Sequence, residues 1–251
     1  MPMTMIRLED ISFSFEEGEA NLIDKVSFSV EEDEFISVTG PSGCGKSTLL
    51  RIIAGLIMPN SGKVICMDSE VNGPSRGVSF VFQDFALLPW LTVLENVKLG
   101  FSILDISEDE KTKRATLLLD TFGLSGFENS YPNILSGGMK QRVGIARALA
   151  SAPSVLLMDE PFSSLDQLTA DTLRNDILYQ LKNKDLPVKS VIMVTHNVEE
   201  AVELSDRIIV LSKKPSTVKE IITVDIKRPR TKRSRKFTAT MDQVYAALAN
   251  D

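Results

Sequence analysis

Gly40-Pro41-Ser42-Gly43-Cys44-Gly45-Lys46-Ser47-Thr48 is the stretch from which the rest of the chain can be read. It follows a short apolar run at 35–39 that reads as a strand. It leads into residues 46–56, whose composition and apolar spacing predict a helix. A glycine-rich turn in that setting, closing on Gly-Lys-Ser, matches the GxxxxGK[ST] phosphate loop in its confirming context. The glycines let the backbone wrap phosphates with N–H groups pointing inward, and the helix dipole adds to the attraction. In such a loop Lys46 neutralises charge on the β- and γ-phosphates of a nucleotide, and the Ser47 hydroxyl ligates Mg2+. Cys44, beside the Lys46 charge and a helix start, has surroundings that lower a thiol pKa. That predicts inhibition by alkylating agents; a tolerated small residue is the plainer reading and is compatible with it.

Three more positions carry the same chemistry. Residues 155–158 form a continuous apolar run, typical of a buried parallel strand, and it ends in Asp159 and Glu160. The first acid at such a point holds Mg2+ through water, and the second polarises an attacking water. His196 is the single histidine of the chain and follows a further apolar run at 191–194. At the C-terminal edge of a sheet, where α/β sites gather, a neutral imidazole can donate to a γ-phosphate. Gln83 closes the run 78–82, where its amide can reach Mg2+ or the attacking water.

Leu135-Ser136-Gly137-Gly138-Met139-Lys140-Gln141-Arg142 supplies a second anion site. Residues 139–150 are rich in helix formers with a regular apolar stripe, so Ser136, Gly137 and Gly138 sit at a helix start. A Ser side chain and bare N–H groups there attract anions.

Residues 6–15 and 26–30 alternate apolar and polar residues like half-buried antiparallel strands, with a turn at 16–21 between them. From 85 to about 152 strand patterns give way to helical ones at 93–99, 108–122 and 139–150. This is a helical lobe inserted into an α/β core that spans about 1–84 and 153–225. The core resumes with 155–158, an amphipathic helix at 167–182, and strands at 191–194 and 207–211. A basic extension at about 226–251 completes one domain over 1–251. Residues 227–236 hold seven basic residues in ten positions. They read first as a solvated surface, with contact to anionic lipid or an acidic partner face as the alternative. Residues 241–248 form a short docking helix.

The 251 residues are 43% hydrophobic and 25% charged, with a formal net charge of −6, so no nucleic-acid partner is indicated. Two cysteines imply no disulfide framework and a reducing compartment. The longest apolar stretches are too short to span a bilayer, and residues 1–8 lack the pattern of a signal peptide. Membrane association is therefore expected only through a partner.

Together these residues resemble the ATP-binding cassette family, over nearly the whole chain. Gly40 to Thr48 stands as its Walker A loop, Gln83 as its Q-loop and Leu135 to Arg142 as its signature. Residues 155–160 stand as Walker B with the catalytic glutamate, Ser163-Ser164-Leu165-Asp166 as the D-loop, and His196 as the switch histidine. The resemblance implies an α/β fold: a P-loop NTPase (RecA-like) core with an antiparallel β subdomain and an inserted α-helical subdomain. It implies ATP and Mg2+ as cofactors, with Ser47, Gln83 and Asp159 on the metal side and Glu160, His196 and Gln83 in catalysis. Phe15 falls where the family stacks an aromatic on adenine, with Phe13 as an alternative for that role and a core strand Phe as the plain one. In this family two cassettes pack head to tail, each ATP lying between one protomer's Walker A and the other's signature. Ser136 and Gly138 are thus expected to serve the partner's nucleotide, in a homodimer or heterodimer, and the resemblance counts Gly137 and Asp166 with them among the nucleotide-binding residues.

Leu87-Leu88-Pro89-Trp90-Leu91-Thr92-Val93 and the tail at 222–230 are similar to importer cassettes of the nitrate/sulfonate/taurine type. They imply integral membrane permease subunits, an indirect link to a solute-binding protein and a peripheral place on the cytoplasmic face of the inner membrane. Trp90 is then exposed on the surface that receives a permease helix, against a buried Trp anchoring the lobe. The rival readings are a non-transport cassette of the cluster-assembly type and a nucleotide-dependent regulator that does not hydrolyse.

Overall fold

The computed structural model describes residues 3–16, 20–75, 77–182 and 187–249. In chain order the elements are β1 (Thr4–Phe13), β2 (Ile23–Glu31), β3 (Phe35–Thr39), α1 (Lys46–Ile53), β4 (Ser61–Cys66) and β5 (Ser69–Glu70). They continue with β6 (Val78–Val81), α2 (Val93–Lys98), α3 (Glu108–Thr121), α4 (Gly137–Ala150), β7 (Val155–Asp159) and α5 (Gln167–Lys182). Last come β8 (Ser190–Val194), α6 (Val198–Leu204), β9 (Arg207–Leu211), β10 (Val218–Thr223) and α7 (Arg235–Ala249).

The chain divides into two compact units, residues 1–75 with 189–251, and residues 76–188. In the first, an antiparallel sheet runs in the order β2-β1-β4-β5. Beside it, β3 pairs in parallel with both β8 and β9, and β10 closes that edge antiparallel to β9. Burial explains the two kinds of strand. In β2 buried positions alternate with partly or fully exposed ones, whereas β3 and β8 are buried throughout, as strands covered on both faces must be. An apolar cluster fixes the C-terminal helix: Phe237, Val244 and Ala247 of α7 pack on Val198, Ala201 and Val202 of α6 and on Ile208, Val210 and Ile222. Phe237, almost wholly buried, contributes about 2–3 kcal/mol to that docking.

The second unit takes in the helical stretch at 85–152 together with β6, β7 and α5. There β6 and β7 pair in parallel, and Val155 to Asp159 is buried throughout. Each helix start carries its local reason. Thr92 and Glu95 form a reciprocal capping box on α2, Ser107 caps α3 and Ser136 caps α4.

Some expectations shift at their edges or beyond. The strand expected at 6–15 ends at Phe13, and the helix expected at 46–56 ends at Ile53. The short helix at 241–248 extends over Arg235–Ala249. Strands β4, β5 and β10 and helix α6 were not foreseen. The turn at 16–21 falls partly on 17–19, outside the described residues.

Candidate functional site

Strand β3 delivers the chain into the loop at Gly40, and α1 begins at Lys46. Gly45 caps that helix with φ of 98°, a left-handed backbone that a side chain would strain. A Cβ there would also lie 3.0 Å from the Leu22 side chain. The Lys46 ammonium, buried at the helix start, donates to the carbonyls of Gly40 (2.9 Å) and Pro41 (3.0 Å). The loop thus holds its own cation folded over it, with Ser42 and Gly43 exposed and Ser47 and Thr48 in the first turn below. Cys44 is buried, 1% exposed, which speaks against ready attack by alkylating agents and for the plainer reading of a tolerated small residue: proximity to Lys46 was legible, enclosure was not.

His196 follows β8 in the same unit and is held by its neighbours. The Thr195 hydroxyl donates to Glu200 Oε2 (2.8 Å) and accepts from the Asn197 N–H (3.0 Å). The Asn197 side chain caps α6 by accepting from the N–H groups of Glu199 (3.0 Å) and Glu200 (3.3 Å). His196, exposed, is therefore the one residue between two that are tied to α6.

Phe15 is 69% exposed, and its ring meets Phe13 edge to face at 5.2 Å. Phe13 is buried in β1, so the alternative that Phe13 exchanges roles with Phe15 is overturned; Phe15 alone presents a free aromatic face.

In the other unit, β7 ends on buried Asp159, and Glu160 follows with φ of 44°, a left-handed conformation costing about 1 kcal/mol in a non-glycine residue. The turn is secured by Ser163, whose N–H (3.2 Å) and hydroxyl (3.0 Å) donate to the Glu160 carbonyl. The Gln83 amide lies 3.5 Å from Glu160 Oε2, the outer limit of a hydrogen bond, so the structure brings these two predicted residues together.

Ser136 accepts from the Met139 N–H at 3.3 Å and is exposed with Gly137, while Gly138 is buried. A Cβ on Gly138 would come within 2.4 Å of Thr169 Cγ2, so this close approach requires glycine. The same Thr169 donates its hydroxyl (2.6 Å) and N–H (3.0 Å) to Asp166, which holds that carboxyl below its usual range and fixes it as an ionised cap on α5. Asp166 and the signature glycines are thus one packed cluster.

Two residues outside the predicted set organise this unit. Arg147, at the far end of α4, donates to the carbonyls of Phe85 (2.8 Å) and Ala86 (2.6 Å), both left-handed residues just after Gln83. One helix therefore carries Ser136 at its start and grips the loop after Gln83 at its end. Fully buried Asn96 binds the Leu88 N–H (2.8 Å) and the carbonyls of Leu88, Leu91 and Thr92. It pins the segment 87–93 so that Trp90 stands 69% exposed, which excludes the buried-anchor reading of that Trp. A buried Asn or Arg that serves backbone carbonyls leaves no side-chain pattern in a sequence.

The basic segment 227–236 is also corrected. Arg230 is buried against backbone carbonyls and Arg228 and Lys232 form ion pairs, so part of the segment is knitted into the fold rather than simply solvated. No described helix is long and apolar enough to cross a membrane.

Comparison with known proteins places the chain among relatives of one family. A family model described as "ABC transporter" matches residues 23–163. An uncharacterized ABC transporter ATP-binding protein of Methanocaldococcus jannaschii, MJ0412, is 46% identical over 98% of this chain and 92% of its own. The aliphatic sulfonates import ATP-binding protein SsuB of Bacillus thuringiensis is 42% identical over 90% of this chain and 87% of its own. Among solved structures, the dimeric post-hydrolysis state of the ATP-binding cassette MJ0796 bound to ADP and Pi superposes with a TM-score of 0.77. It is 34% identical and covers 89% of this chain and all of that one.

Proposed function

We propose, from the premise that the chain belongs to the ABC transporter family and is an ATP-binding, ATP-hydrolysing member of it, that it energises a membrane importer of the nitrate/sulfonate/taurine type. In this reading it works as a head-to-tail dimer in which the signature of one protomer completes the nucleotide site of the other. The observation that carries the reading is α4, which begins on exposed Ser136 and Gly137 and ends on the loop after Gln83. An anion met by the start of that helix moves the Gln83 loop with it, because Arg147 joins the two.

Lys46 balances phosphate charge, and its carbonyl partners at Gly40 and Pro41 hold it ready over the loop. Ser47, Gln83 and Asp159 offer a hydroxyl, an amide and a carboxylate, hard oxygen donors of the kind Mg2+ accepts when phosphate and water complete its shell. When bound by these residues, Mg2+ would supply charge neutralisation for the phosphoryl group. Glu160 orients and deprotonates the attacking water, Gln83 holds the Glu160 carboxylate, and His196 donates to the γ-phosphate. Phe15 stacks on adenine. Permease subunits receive the motion through the face that bears Trp90, which places the chain at the cytoplasmic side of the membrane, with a solute-binding protein as an indirect partner.

The relatives named for aliphatic sulfonate import and the segment 87–93 favour the importer over the cluster-assembly reading. Glu160→Gln tests the mechanism. ATP binding is expected to persist while turnover falls by roughly 10²–10⁴-fold and a stable dimer accumulates. Wild-type hydrolysis by this variant refutes the assigned role.

A further inference from the structure

Helix α6 spans two turns, so its last carbonyls have no partner within the helix. In this chain the basic segment supplies those partners. Arg230, whose side chain is 1% exposed, donates from Nη1 to the carbonyls of Val202 (2.7 Å), Glu203 (3.2 Å) and Ser205 (2.6 Å). Its Nε donates to Ile226 (2.8 Å) and its Nη2 to Val224 (3.4 Å). Arg228 donates to the Leu204 carbonyl and pairs with Asp206 at 2.8 Å. Lys232 reaches Glu199 (2.7 Å) and Glu203 (3.3 Å) on the helix itself. From an irregular segment that bends at 228 and 229 and turns at 232 and 233, positions 228, 230 and 232 all address α6. Only a planar fork with five donors can serve so many carbonyls at once, which is why the central residue is Arg rather than Lys. Burial, with the Arg228 charge beside it, pushes the Arg230 guanidinium down to about 10.

At its other end α6 is tied to His196 through Thr195, Asn197 and Glu200. We propose that the Arg228-Arg230-Lys232 arm is a positioning element for His196: it clamps the C-terminus of α6 so that the histidine before the helix is held for catalysis. Arg230 touches no reacting atom and acts through the helix. The proposal rests on the reading of His196 as the γ-phosphate partner.

The test compares Arg230→Met and Arg230→Lys in the full chain by ATP turnover, ATP affinity and amide hydrogen exchange over residues 195–205. Arg230→Met is expected to lower kcat about tenfold or more while ATP affinity stays within about twofold. Amides of 198–205 exchange faster, those of β3 do not change, and Arg230→Lys recovers part of kcat. Faster exchange with unchanged kcat overturns the proposal, as does parallel loss of kcat and ATP affinity without rescue by Lys. If Arg230→Met does not fold, Lys232→Ala, which removes the pairs to Glu199 and Glu203, is read by the same criteria at smaller amplitude. Lys236→Ala, a change of an exposed side chain, serves as the control and should leave kcat unaltered. His196→Ala separates the two levels. If it leaves kcat intact, the reading of His196 fails and the proposal with it; if it lowers kcat and Arg230→Met does not, only the proposal fails.

Discussion

Gln141, inside the signature segment, is fully buried on α4, and among the described residues neither its amide nitrogen nor its amide oxygen has a hydrogen-bond partner. Burying an unpaired amide costs about 1–3 kcal/mol. Leucine is close in volume, has an equal helix propensity and leaves nothing polar behind. Gln141→Leu should therefore stabilise the protein by about 1–2 kcal/mol, the lower half of the cost, because a branched side chain packs imperfectly in a space shaped for a straight one. With a urea m-value of about 2 kcal/mol/M, the unfolding midpoint rises by about 0.5–1 M. Gln141→Glu, which puts an unpartnered charge in the same space, should lower the midpoint instead. Urea unfolding followed by circular dichroism reads both. A Leu variant less stable than wild type by more than about 1 kcal/mol would refute the reasoning, because only a paired amide is missed that much.

Phe15→Ala should weaken ATP binding about tenfold, the loss of one base–aromatic stack, and leave stability unchanged because the ring is exposed. Equal ATP affinity for the variant and wild type removes Phe15 from the site. Phe13→Ala does the reverse, destabilising by about 3 kcal/mol through a cavity in β1. Cys44 should react with N-ethylmaleimide far more slowly in the folded protein than in urea, as its burial dictates. Labelling at equal rates, followed by mass spectrometry, would contradict the enclosed thiol.

What could be read from the sequence was local in origin. The phosphate loop, the acid pair after 155–158, the capped signature helix and the buried strands are each written in a few consecutive residues, and all sit where their patterns put them. What escaped was short or depended on backbone. Strand β4 exposes its first three residues and shows no alternation, and α6 is too brief for a helical period to emerge. The density of charge at 227–236 signals solvent, yet Arg230 is buried because its partners are carbonyls, which carry no sequence signature. Arg147 and Asn96 escaped for the same reason. Phe13 and Phe15 share a residue type and the same alternation, and only the end of β1 at Phe13 separates the buried ring from the exposed one.

The central claim is that Ser136 and Lys46 of one chain serve different nucleotides. It is tested most directly by mixing two inactive variants, Lys46→Ala and Ser136→Glu, each of which fails alone. A mixed dimer pairs the intact phosphate loop of one chain with the intact signature of the other. Hydrolysis should therefore return to about a quarter of the wild-type rate, since half of the dimers are mixed and each has one of two sites whole. A mixture that stays as inactive as its components would contradict the account.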